Sequence, residues 1–496
     1  MLFNLGLNNL LWRLDYRYVA YKLFAFWFVV QPVFFFLCLA IFPNYFEAEW
    51  VQYLPVEGRV YTLFVSFCIV PLMAVLYAWF MDKISTSGRQ EVYNFAGQRV
   101  QNAREFFRLP KLGADFDAML IVAALITTSI WITTLNNTNM FYFFLRVLNR
   151  GLQFAPFVAG LYWNRNRLVQ IGWIITLVVN LALASVTGSR GNGFLPVGYY
   201  AIGFILQQAT RAGRVSWFAL GIAGLIPLII ASGVVNVLRD DVGRTNLQTL
   251  DLGEVMNDLP SAISTSLENN TNTWDTGEQN ALWTGLARMV DWSLLAVPNM
   301  TPKVIPYRGY DTLPEELEAM ISIPGLGIFP DLAYDSKGLA VPYGFNVSSA
   351  YDENSVLRLT SSVPFNIVAD SWSRGGIISV IAQVGLALLA LTFSEKFCYT
   401  FLLPRSIGLF VLGRTVVIGL GFWSLTVGVL SEAIRQLVLT LGFTVFWVGL
   451  LMAFVKAFLG TGAPAMGPPP GGPMERRPPP PRPGPLGPRA HRPSRA

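Results

Sequence analysis

The chain has 496 residues, of which 53% are hydrophobic and only 13% charged, and its mean hydropathy is +0.46. Soluble domains carry roughly 25% charged residues, so an ordinary soluble multidomain protein is excluded and an all-α polytopic membrane protein is expected. The single histidine is His491, and the three cysteines, Cys38, Cys68 and Cys398, lie in or beside apolar runs. That excludes a disulfide framework, and it removes histidine acid–base chemistry and histidine-ligated metal from the membrane body.

A hydrocarbon core needs about 20 apolar residues per helix. On that measure we expect ten spans, at about 20–42, 60–80, 116–135, 141–163, 168–187, 194–208, 215–238, 375–393, 407–427 and 437–458. Residues 1–19 read as an interfacial helix ahead of a retained first span, because no basic n-region with a small-residue cleavage site is present. The sixth span is the weakest, being short, interrupted by Gly198 and preceded by Pro196.

Connections 81–115, 164–167, 209–214 and 394–406 are basic, and on this count they share one face with the C-terminal tail. Lysine and arginine in short loops mark the cytoplasmic side, so both termini are expected inside. Within 92–107, Val92, Ala96, Val100, Ala103 and Phe107 recur at helical spacing, which predicts a helix lying on the inner leaflet. Residues 1–460 form the membrane body. The tail 461–496 is Pro, Gly and Arg with little to bury, so it is expected to be disordered or polyproline-like.

The external face receives the one long polar insertion, Arg239 to Arg374. It carries 18 acidic side chains against 8 basic ones, so the basic excess of the chain lies elsewhere, facing the membrane, and nucleic acid is not an expected partner. Three junctions on this face bring arginine to the membrane surface. The first, Thr187-Gly-Ser-Arg190-Gly-Asn-Gly193, combines tight glycine turns, exposed N–H groups and a guanidinium, which suits an anion. The second, after span seven, presents Arg239, Asp240, Asp241 and Arg244. The third opens span eight with Asp370-Ser-Trp372-Ser-Arg374, where an acid, an aromatic platform and an arginine suit a sugar. For each junction a plain alternative stands beside this: snorkelling or interfacial anchoring of arginine and tryptophan. Glu432, between spans nine and ten, adds another acid. Arg146 and Arg150 lie one turn apart on span four, and intramembrane charge is costly enough to make them candidates too. Arg414 reads instead as a snorkelling or packing residue.

The run LASVTGSRGNGF, the long external loop, YRGYDTL (307–313), IPGLGIFPDLAYDSKG (323–338) and SSVPFNIVADSWSRGG (361–376) together resemble the bacterial O-antigen or oligosaccharide repeat-unit polymerases of the Wzy type. The chain departs from the family's pattern at Arg374 and Gly375 and in its Pro-rich tail. The resemblance implies a fold like that of the membrane-embedded GT-C glycosyltransferases and residence in the bacterial inner membrane. It also implies elongation of a glycan carried on undecaprenyl diphosphate, with a chain-length regulator as an open further partner. No metal or other cofactor is expected, because arginines can stabilise a diphosphate leaving group electrostatically. Arg190 and Arg239 are the expected stabilisers and Asp370 the expected base. Arg244, Arg374, Trp372, Asp240, Asp241, Arg146, Arg150 and Glu432 are expected to bind diphosphate or sugar. A lipid-linked oligosaccharide flippase and an O-antigen ligase remain alternatives, the latter disfavoured by the missing loop histidine.

Overall fold

The computed structural model describes residues 2–11, 17–41, 43, 58–85, 92–102, 105–109, 113–135, 140–187, 190–211, 290–291, 293–316, 348–351, 357–361, 366–423 and 430–459. Among these the chain is mostly helical. A short helix α1 (Leu2–Leu11) precedes α2 (Ala20–Ile41). The rod α3 is built from Arg59–Phe64, a π-helical turn Val65–Ile69, and Val70–Ser85. Then come α4 (Ala114–Leu135), α5 (Met140–Leu152), α6 (Ala155–Leu161), α7 (Arg167–Thr187) and α8 (Arg190–Arg211). Within the polar insertion lies α9 (Ser293–Met300); α10 (Ile367–Phe397) begins at its end, and α11 (Ile407–Trp423) and α12 (Leu430–Leu459) follow.

Helices stand at every expected span except 215–238, which lies outside the described residues. Four are long and apolar enough to cross a membrane: Ala20–Ile41, Arg59–Ile84, Ile367–Leu402 and Leu437–Ala457. Arg167–Leu181 and Ile407–Gly421 are shorter apolar helices. The outward surface is apolar as well: Ile171, Ile174, Ile175 and Val178 crowd one exposed face of α7, and Phe446, Trp447, Leu450 and Phe454 are exposed on α12. Water would not tolerate stripes of this size, whereas lipid would.

Two expectations need correcting. Span four is not one helix but α5 followed by α6, because Pro156 enters at the start of α6 and cannot continue the hydrogen-bond ladder of α5. Residues 92–100 are a hairpin rather than a helix, with β1 (Val92–Tyr93) antiparallel to β2 (Arg99–Val100). Asn94 Oδ1 accepts from Gln98 N at 2.8 Å, and Gly97 takes φ of +75° in the turn. The helical spacing of the apolar residues there reflects packing instead, with Phe95, Ala96 and Phe106 all buried. A second short pair, β3 (Ser348–Tyr351) and β4 (Leu357–Ser361), lies in the polar insertion.

One end of the bundle is tied together by buried polar contacts. Glu395, near the C-terminus of α10, accepts Val19 N at 2.7 Å and Ala20 N at 2.9 Å, thereby capping α2, and also takes Arg414 Nε at 3.1 Å. Arg414 spends its other nitrogens on the carbonyls of Asn94, Phe95 and Arg17. It is fully buried, so it pairs rather than snorkels. Nearby, Asp115 at the head of α4 bonds Ser406 and Lys456, Asn166 Nδ2 donates to Asp117 Oδ2 at 2.8 Å, and Arg165 donates to the Leu109 carbonyl. Connections 81–115, 164–167 and 394–406 therefore meet at one end of the molecule, as the charge pattern requires.

The feature that positions the candidate site is a break inside α10. Gly375 and Gly376 leave helical geometry, Gly376 with φ of +62°. On a straight helix, residues twelve apart would be about 18 Å apart, yet Ser371 Oγ lies 3.0 Å from Gln383 Oε1. The helix is thus a hairpin: a short arm Ile367–Arg374 folds back against a long arm from Ile377 onward. Gly376 is needed twice over, since L residues avoid that φ and a β-carbon would meet the Tyr307 hydroxyl at 2.8 Å.

Candidate functional site

The short arm begins beside α9, and a single polar knot joins their N-termini. Asn366 Oδ1 caps the arm by accepting Ala369 N at 2.7 Å, while its amide donates to Asp291. Asp291 in turn accepts Ser293 Oγ at 2.7 Å, and its backbone N–H donates to Gln31 Oε1 at 2.8 Å. Gln31 stands half-way along α2, so both short helices, although part of the polar insertion, start deep against the bundle. Burial pushes the Asp291 carboxyl up from 3.8 to about 6, outweighing the bonds from Ser293, Asn366 and the backbone of Ser293 and Leu294. The folded state then holds this proton to higher pH than the unfolded chain. Its stabilising contribution is complete below the ordinary value of 3.8 and is lost as pH rises through about 6. The thermal midpoint in detergent should fall between those pH values, and Asp291→Asn should flatten that slope.

The tip of the hairpin gathers charge. Asp370, on the short arm, is fully buried and receives Arg308, with Arg374 Nε at 3.3 Å one turn along. Arg374, itself buried, also pairs with buried Glu316, whose carboxylate takes Thr312 Oγ1 at 2.9 Å. The segment 305–316 is clipped across the hairpin tip through backbone bonds: Arg308 N to Ser373 O at 2.7 Å and Gly309 N to Arg374 O at 3.2 Å. These satisfy carbonyls that the helix break at Gly375 leaves open. Tyr310 lays its ring over the Arg374 guanidinium, 5.7 Å away, and its hydroxyl bonds Ser379 Oγ at 2.7 Å.

Two guanidiniums and two carboxylates make a quartet balanced in charge, fixed by helix, strap and hydrogen bonds. Its asymmetry is clearest at Arg374. Arg374 Nη1 is buried and has no hydrogen-bond partner among the described residues, and an unspent donor of a buried cation is costly unless something fills it. Chemically, the quartet is a rigid frame that offers one guanidinium N–H edge to an oxygen.

The expected site residues fall out unevenly. Asp370 and Arg374 come together as the sequence suggested. Trp372 is packed away at 3% exposure, its ring nitrogen directed at the Thr301 carbonyl, and it has no open face for a sugar. Arg190 is the first residue of α8, so its glycines form the opening turn of a helix rather than a separate loop. Arg146 and Arg150 lie on α5, Arg150 exposed in the last turn, and Glu432 sits in the first turn of α12. The side chains of Arg190, Arg146 and Glu432 lie outside the described set, as do Arg239, Asp240, Asp241 and Arg244 altogether. Reasoning from residues missed Arg308, Tyr310 and Glu316. Arg308 and Tyr310 lie in YRGYDTL, one of the stretches that carry the resemblance, whereas Glu316 lies three residues beyond it.

Comparison with protein-family models, with curated proteins and with solved structures returns no match.

Proposed function

We propose that the chain is a glycosyltransferase of about ten spans in the bacterial inner membrane, related in architecture to the GT-C enzymes, that polymerises undecaprenyl-diphosphate-linked repeat units on the external face. One observation carries the proposal. Two stretches that carry the resemblance to the polymerases, YRGYDTL and SWSRGG with its preceding acid, are some sixty residues apart in sequence, yet they meet through Arg308, Asp370 and Arg374, with Glu316 completing the quartet.

The chemistry divides accordingly. The donor departs as a lipid diphosphate, a good leaving group whose developing charge needs fixed positive dipoles more than a metal. Arg374 can give one N–H edge to that oxygen. Because the quartet is charge-balanced, the bulk of the diphosphate charge falls to Arg190, Arg239 and Arg244. Asp370 faces two guanidiniums, so to take a proton from an acceptor hydroxyl it must loosen the contact with Arg308, the less buried of the two at 19% exposure. Purified protein in proteoliposomes, supplied with lipid-linked repeat unit and treated with EDTA, is expected to lengthen the glycan.

A second reading has its own support. Short helices that begin half-way along a neighbouring rod, with N-termini meeting at Asp291 and Asn366, are the discontinuous helices by which transporters hold substrates. A flippase for the same lipid-linked glycan would move the label across the bilayer without lengthening it, and the same proteoliposomes distinguish the two.

A further inference from the structure

A sugar-handling site needs a flat apolar face, because the C–H bonds on one side of a pyranose carry slight positive charge and pack on the negative face of an aromatic ring. The sequence offered Trp372 for this role, and the structure buries it. Two other rings are open. Tyr307 and Tyr310 flank Arg308 and Gly309 on the strap over the hairpin tip, and they are 44% and 46% exposed. Tyr310 is held at its hydroxyl end on Ser379 Oγ at 2.7 Å, and the Tyr307 hydroxyl lies beside Gly376, where a β-carbon would meet it at 2.8 Å.

Positive φ at Gly309, +70°, turns the strap so that residues on either side of it reach the same hairpin. A ring anchored at its tip and open along its body loses little freedom when a ligand stacks on it, which is what separates a binding platform from a loose surface tyrosine. Beneath Tyr310 lies Arg374 with its unspent N–H edge. An apolar face and an anion donor thus stand side by side, matching a sugar joined to a phosphate.

We infer that Tyr307 and Tyr310 form a carbohydrate-stacking subsite that holds the sugar next to the diphosphate, with Arg374 below it. The inference rests on the glycan-handling reading above and deepens it. It does not depend on whether the glycan is elongated or merely translocated.

The test is equilibrium binding by full-length protein in detergent, with two probes: the repeat-unit oligosaccharide on undecaprenyl diphosphate, and undecaprenyl diphosphate alone. Tyr307→Ala and Tyr310→Ala should each weaken the glycan-bearing probe by about tenfold, while Tyr307→Ala leaves the bare diphosphate at its wild-type affinity. Tyr310→Phe should weaken the glycan probe measurably but less than Tyr310→Ala does, since the ring remains over Arg374 while its tether to Ser379 is lost. Equal weakening of both probes by Tyr307→Ala, or unchanged glycan affinity in both alanine variants, overturns the subsite. So does wild-type protein that holds the glycan-bearing lipid no better than the bare one. If the variants behave as stated and no chain is ever lengthened, the subsite stands and the glycosyltransferase reading falls.

Discussion

Replacing Arg374 by lysine is expected to lower glycan elongation by roughly 10²–10³-fold, the usual cost of removing a donor aimed at developing charge, while the protein still folds. Lysine keeps a positive charge among Asp370 and Glu316 but is a single point. It cannot bond both carboxylates and still keep a planar N–H edge to spare. Arg374→Ala goes further. Asp370 retains Arg308, but Glu316 loses the buried guanidinium it pairs with, and breaking a buried pair by removing one partner costs about 3–5 kcal/mol. The alanine variant should therefore lose folded protein, and the lysine variant should lose activity. Near-wild-type elongation by Arg374→Lys, measured on protein with an unchanged thermal midpoint, would reduce the quartet to scaffolding.

The largest effect on stability should come from the opposite end of the bundle. Arg414→Leu strips Glu395 of its counter-ion and leaves the carbonyls of Asn94, Phe95 and Arg17 without that donor. A loss of about 3–5 kcal/mol is expected from the stranded carboxylate alone, seen as a lowered unfolding midpoint in detergent. Pairing it with Glu395→Gln should recover part of the loss, because the neutral amide no longer needs a cation and its oxygen can still cap Val19 and Ala20. A single variant as stable as wild type would mean that water reaches Glu395.

Much of the helical frame was legible because crossing a bilayer demands long apolar runs, and such runs announce themselves. Breaks were harder. Pro156 marks the division of span four only once the short α6 is seen to start there, and Gly375-Gly376 reads equally well as a helix opening or as the bend of a hairpin. Pairing across distance was invisible: nothing local to Glu395 and Arg414, or to Arg308 and Asp370, says that these charges meet. Arg414 looked like a snorkelling residue because sequence shows depth and not neighbours. Trp372 read as a platform for a sugar, with interfacial anchoring as the alternative, for the same reason, since a buried tryptophan occupies the same kind of junction as either. The 92–107 stretch was misjudged because five apolar residues at helical spacing can also come from a hairpin pressed against Phe410, where Gly97 makes the turn.

Within the Arg239–Arg374 insertion, the quartet is built from residues 308–316 of its middle and 370–374 at its end. There the strap from 305 to 316 closes over the short arm of α10 and brings a tyrosine pair, two arginines and two acids to one place. The most direct test is the reaction itself. Wild-type protein reconstituted with lipid-linked repeat unit and freed of divalent metal should give a ladder of glycans lengthened one repeat at a time. Glycan that stays at a single repeat, whether or not the lipid changes leaflet, would contradict the polymerase account.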